Sequence, residues 1–185
     1  GTDIDYNGKA VTLTNLTYNP AVALGASEAI TLGGASTFAS TLTLNGTGAA
    51  LTTGAYTLTA QGAITNTLGT ITISGSGTIY VGTTNAFSSS SVVTSSGNLY
   101  CGNFTSSGTY TNNSGSSITT SGNVVISGTF ANPTNNNFLM YGAAKTINAS
   151  VGIGNLQIGT PIYDGSIQIT GNDLAVGGTL FLRWG

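Results

Sequence analysis

Almost from end to end, the chain is cut into short runs in which apolar and polar residues alternate, each closed by Gly, Asn or Ser. Val11–Thr14, Thr41–Leu44, Tyr56–Thr59, Thr70–Ile73 and Thr78–Val81 carry the pattern in the first half. Asn123–Ile126, Phe138–Tyr141, Asn155–Ile158, Ile167–Thr170 and Thr179–Leu182 carry it, or nearly carry it, in the second. Alternation with a period of two is the mark of a strand with one buried face. In Thr41–Thr43, Leu42 points one way and both threonines the other. No stretch places apolar residues at i, i+3, i+4 and i+7 without glycine or β-branched interruptions, so helix is nearly excluded. An all-β chain is expected.

Gly, Thr, Ser and Asn make up about half of the 185 residues, which makes disorder the first rival. Against disorder, 39% of residues are hydrophobic, and they fall in the alternating runs rather than at random. Charge is scarce, with three basic residues, five acidic ones, no histidine and a net charge of -2. Three basic residues cannot displace counterions from a phosphate backbone, so nucleic acid is excluded as a partner. Metal and cofactor sites are not expected, because clustered ligands are absent. No run of 18 apolar residues exists, so no membrane-inserting helix is expected. The low-charge composition, rich in Thr, Asn and Ser, suits an extracellular or cell-surface protein, expected here in mature form without a signal peptide.

Internal repetition separates the all-β alternatives. Gly97-Asn98 and Gly122-Asn123 open similar phrases 25 positions apart, and Gly171-Asn172 lies 49 positions further on. In the first half, Thr41–Gly46 recurs as Thr57–Gly62 at an offset of 16. Drifting periods of 16 to 25 fit the coils of a single-stranded parallel β-helix. We expect one β-solenoid domain over residues 1–185, of about eight coils of roughly 23 residues and roughly 35–40 Å long, standing alone or as a segment of a longer repetitive chain. The inward residues are expected to include Leu13, Leu42, Leu58, Ile71, Val125, Leu156 and Ile158. Bends are expected to use Gly and Asn at positive φ, with stacked asparagines as at Asn135–Asn137. The alternative is an antiparallel β-sandwich of a pilin-like filament subunit.

The phrases Gly122–Phe130, Phe138–Asn148, Ile153–Ile158 and Leu174–Leu182 resemble the repeat units of very large bacterial extracellular β-helix proteins of the surface and adhesin type. The resemblance covers the half from Ser96 onward well and the first half loosely. It implies an architecture and a cell-surface setting, with no catalytic residues to carry over.

Chemistry has few candidates. Asp164 and Asp173 are the acidic pair of the repetitive half, and Asp3 and Asp5 form at most a weak calcium site. Without histidine no hydroxyl can be activated as in a catalytic triad, so an enzyme is not expected. Cys101 reads as a small buried apolar residue. Asn-x-Ser/Thr sequons stand at Asn15, Asn45, Asn103, Asn112 and Asn148 as candidate glycosylation positions. Thr-x-Thr pairs at 12/14, 41/43, 57/59, 65/67, 70/72 and 109/111 admit an ice-binding face, although their uneven spacing does not require alignment. Tyr80, Tyr100, Phe104, Tyr110 and Trp184 are the glycan-stacking candidates, most of them expected to fill the core. The last run, Thr179, Leu180, Phe181 and Leu182 followed by Arg183 and Trp184, lacks a polar cap. It is expected to be an assembly edge for head-to-tail self-association or for neighbouring repeats.

Overall fold

A computed structural model of the chain describes residues 9–113, 115–132, 136–160 and 165–183. Among these, 24 short strands and no helix are found, and every strand pairing is parallel. The strands form three sheets of seven, nine and eight members. Successive strands visit the three sheets in turn. Thr70–Ile73 lies in the first, Thr78–Val81 in the second and Phe87–Ser89 in the third; Val92–Ser95 then returns to pair beside Thr70–Ile73. The chain is therefore a three-sided parallel β-solenoid of about eight turns, and the antiparallel sandwich is excluded. After Ala131 the first sheet shrinks to an isolated bridge, Ile153 with Val176.

Because the coils stack in register, each inward side chain lies over its equivalent one coil away. Ile30, Leu51, Ile71, Val93, Tyr110 and Phe130 form the inward column of the first sheet. Leu58, Ile79, Leu99, Ile118, Phe138 and Leu156 form that of the second. Val22, Leu42, Ile64, Phe87, Phe104, Val124 and Ile147 form that of the third. All of these residues are buried. In mid-rod the columns are aromatic: the Phe87 and Phe104 rings stack at 6.0 Å, and Tyr110 and Phe138 meet Phe104 edge-on at 5.5 and 5.7 Å.

Leu42, Leu58, Ile71 and Leu156 lie in this core as expected, and Leu13 and Ile158 pack partly buried against it. Val125 does not. It points outward and is 40% exposed, while its neighbours Val124 and Ile126 take the inward places over Phe104 and Ser106. Three consecutive apolar residues carry no alternation, so only the register against the preceding coil decides which of them face in.

The coil length also departs from the expected 23. Phe87 lies over Phe104 after 17 residues, whereas Gln157 lies over Phe181 after 24. Neither repeat offset is a coil. Asn98 opens a strand of the second sheet and Asn123 precedes one of the third, so their 25-residue spacing joins two different corners. Thr41–Gly46 and Thr57–Gly62 likewise belong to the third and second sheets.

The corner glycines are present mainly for space. A Cβ on Gly97 would stand 2.1 Å from the Gly77 carbonyl, and one on Gly128 would stand 2.0 Å from that of Gly108. Neither glycine has positive φ, so close backbone approach between stacked corners fixes them. Left-handed backbone occurs at other bends, among them Gly75, Gly115 and Asn15. Of the expected asparagine bend, Asn135 lies outside the described residues, Asn137 begins a strand, and Asn136 is buried at the corner.

The register makes an opposed pair of outcomes on one strand. Ile126→Ala should destabilise by about 2–5 kcal/mol, as a large-to-small change in a packed core. Val125→Ala should remain within about 0.5 kcal/mol of the parent. Denaturant unfolding of the two variants checks the assignment, and the reverse order would contradict it.

Candidate functional site

Few of the titratable groups are placed for chemistry. Glu28 is buried and accepts a hydrogen bond from the Gly25 N–H at 2.5 Å, which fixes its own turn. Asp173 is exposed beside Gly171-Asn172. Asp3, Asp5 and Asp164 lie outside the described residues, as does Trp184. Among the described residues no three of His, Cys, Asp and Glu gather as a metal-ligand set. Cys101 is a free, buried thiol, and burial pushes its pKa up from 9.0 to about 12 against smaller opposing hydrogen bonds from Thr120 and the Phe87 backbone. A thiol held neutral in this way is a poor nucleophile.

The sequons divide by burial. Asn15, Asn45 and Asn103 are exposed, and Asn148 is half-buried. Asn112 is fully buried, and its Nδ2 donates to Asn132 Oδ1 at 2.7 Å. A sugar on that nitrogen has no room in this packing, so Asn112 drops out as an attachment point. The other asparagines act between coils. Asn103 Oδ1 accepts from the Asn123 N–H at 2.8 Å, and Asn123 Oδ1 accepts from the Thr146 N–H at 3.0 Å. Asn136 Nδ2 donates to the carbonyls of Asn112 and Asn113, one coil back.

Among the aromatic candidates, Phe104 and Tyr110 are core residues, and burial raises the Tyr110 phenol well above its ordinary value. Tyr80 and Tyr100 point outward on adjacent coils of the second sheet, their rings tilted at 43° with centroids 6.2 Å apart and Tyr80 41% exposed. Thr83, Thr119 and Tyr141 line the shallow hollow beside them.

At the far end of the second sheet, Leu180–Leu182 pairs with Asn155–Ile158, and the Thr179 N–H donates to Asn155 Oδ1 at 2.8 Å. Leu180 and Leu182 follow the inward columns of Leu156 and Ile158, yet both are exposed, at 50% and 55%. Phe181 is exposed as well. No described residue covers this coil.

The threonine pairs are split among the three sheets. Thr12, Thr70, Thr72, Thr109 and Thr111 lie on the first, Thr57 and Thr59 on the second, and Thr43 and Thr65 on the third, while Thr14, Thr41 and Thr67 fall at the adjoining bends. The unevenly spaced sequence nevertheless aligns on the first sheet. Thr12, Thr31, Thr52, Thr72, Thr94 and Thr111 stand in one unbroken outward column. Half of this column was hidden in the sequence, because Thr31, Thr52 and Thr94 follow Ala29, Ala50 and Val92 rather than a second threonine. Only the coil offsets would have found it, and they vary from 17 to 22.

Comparison with protein-family models, with curated proteins and with solved structures finds no match to this chain.

The buried thiol makes stability depend on alkaline pH. Its folded-state pKa is raised, so its contribution is fully present below pH 9 and is lost as pH rises toward 12, by on the order of 4 kcal/mol in all. Tyr110 adds to the same loss from about pH 10 upward. Cys101→Ala should give a shallower fall of unfolding free energy between pH 9 and 12, measured by denaturant titration at each pH. An unchanged slope would show that the thiol ionises equally in both states.

Proposed function

We propose that the chain is a non-catalytic extracellular structural rod of the surface-fibre, filament-subunit or adhesin-stalk kind. Further coils of the same type extend it, either in the same chain or from a second copy set head to tail. The in-register parallel stacking carries this reading, because Leu180 and Leu182 continue the inward columns of Leu156 and Ile158 and present the same column and strand edge to a further coil. A sheet edge of this kind offers a row of free backbone donors and acceptors in register for another strand. Covering the two half-exposed inward side chains, Leu180 and Leu182, would contribute on the order of 2 kcal/mol, besides the new ladder hydrogen bonds. The extracellular setting rests on the composition and on the resemblance of Gly122–Phe130 and the phrases after it to bacterial surface repeats. The non-catalytic reading rests on the lack of histidine and the scattered carboxylates. Surface glycans are the lesser partner class, supported by the outward Tyr80–Tyr100 pair.

Sedimentation velocity and electron microscopy of the purified chain test the proposal. Association into end-to-end particles is expected at micromolar concentration, and Leu180→Lys with Leu182→Lys should shift the population at least tenfold toward monomer. A wild-type chain that stays monomeric at high micromolar concentration would overturn head-to-tail assembly.

A further inference from the structure

The first sheet differs from the other two in its outer surface. Its outward column reads Thr12, Thr31, Thr52, Thr72, Thr94, Thr111 and then Ala131. The corresponding column of the second sheet is broken by Tyr80, Tyr100, Leu139 and Phe181. That of the third is broken by Ala23, Ser88, Val125 and Asn148. Threonine is a good strand residue everywhere, so β-propensity alone would spread it evenly over the three faces. The uninterrupted column is confined to one.

Two further features bear on what this face can bind. The flanking outward rank, Ala29, Ala50, Thr70, Val92, Thr109 and Thr129, is small or β-branched and carries no charge. The hydroxyls of the six column threonines make no hydrogen bond within the described protein, whereas Thr53, Thr67 and Thr120 at the corners donate theirs to backbone carbonyls. The face is therefore a straight row of free hydroxyls and methyls, one per coil at about 4.8 Å, running about 24 Å. Parallel ladders on both sides of every strand of the column but the first, which has one, hold it rigid.

A ligand suited to this row must be uncharged, must repeat at nearly the coil spacing and must exchange hydrogen bonds with hydroxyls. Ice meets all three conditions, since its water oxygens repeat at close to this distance along the basal plane. A second copy of the chain fits less well, because each hydroxyl would need its own partner across the seam in one fixed rotamer, and any left over would be buried unpaired. We infer that the first sheet, centred on Thr52, Thr72 and Thr94, binds the surface of ice. The inference concerns a side of the rod and does not depend on what covers its end.

Thermal hysteresis and ice-recrystallisation inhibition of the purified chain test it, with Thr72→Tyr on the proposed face and with Thr43→Tyr and Thr59→Tyr on the other two. Circular dichroism confirms that each variant keeps the β fold. Wild type should restrain ice growth at micromolar concentration. Thr72→Tyr should lose at least tenfold of that effect, and the two controls should keep it. Absence of both effects in the folded wild type would overturn the inference, as would equal loss in the controls. So would a wild-type dimer dispersed by Thr72→Tyr without any effect on ice.

Discussion

The parallel, in-register hydrogen bonding of each coil to the next is the interaction on which the rest of this structure depends. With three sheets and no helix among the described residues, backbone groups find partners mainly along the rod axis. That ladder puts like residues above like, and the core follows from it. A Leu, Ile or Phe at an inward position packs on the equivalent residue one coil away, so a narrow chain section builds a continuous apolar column. Charge scarcity follows from the same stacking, because a like charge repeated in one column would face its copy at about 4.8 Å.

The corners complete the account. Most side-chain hydrogen bonds here join residues one coil apart, such as Asn66 Nδ2 to Ser89 Oγ and Ser117 Oγ to Asn98 Oδ1. Asn66, Ser89 and Ser106 form a buried polar column in the third sheet, where Leu24 and Leu44 stand in earlier coils and Ile126 in a later one. Corner glycines let adjacent turns approach without a Cβ between them. The same turns that end one strand thus also fix the vertical distance to the next coil.

Strand type and direction of burial were legible wherever a run alternated cleanly, as in Thr70–Ile73, whose bounds coincide with the observed strand. Phe87–Ser89 and Phe104–Ser106 do not show as strands in the sequence, because serines that look like turn residues occupy inward places there. Val125 was misplaced because its neighbours are as apolar as it is. The solenoid class was visible in the recurring phrases, but the register was not. Coils of 17 to 24 residues break any fixed period, and the most similar phrases sit at different corners. The threonine column stayed hidden for the same reason: it becomes a single line only once each coil is laid over the one before.

Register is therefore the central claim, and distance between spin labels tests it most directly. Labels on cysteines at positions 31 and 111, replacing Thr31 and Thr111, are 80 residues apart in sequence and four coils apart on one face. Cys101 is buried and stays unlabelled under native conditions. Double electron–electron resonance should give one narrow distribution centred near 19 Å, four steps of about 4.8 Å. A broad distribution, or a mean displaced by more than about two coil spacings, would contradict the stacking from which the core, the corners and the faces have been derived.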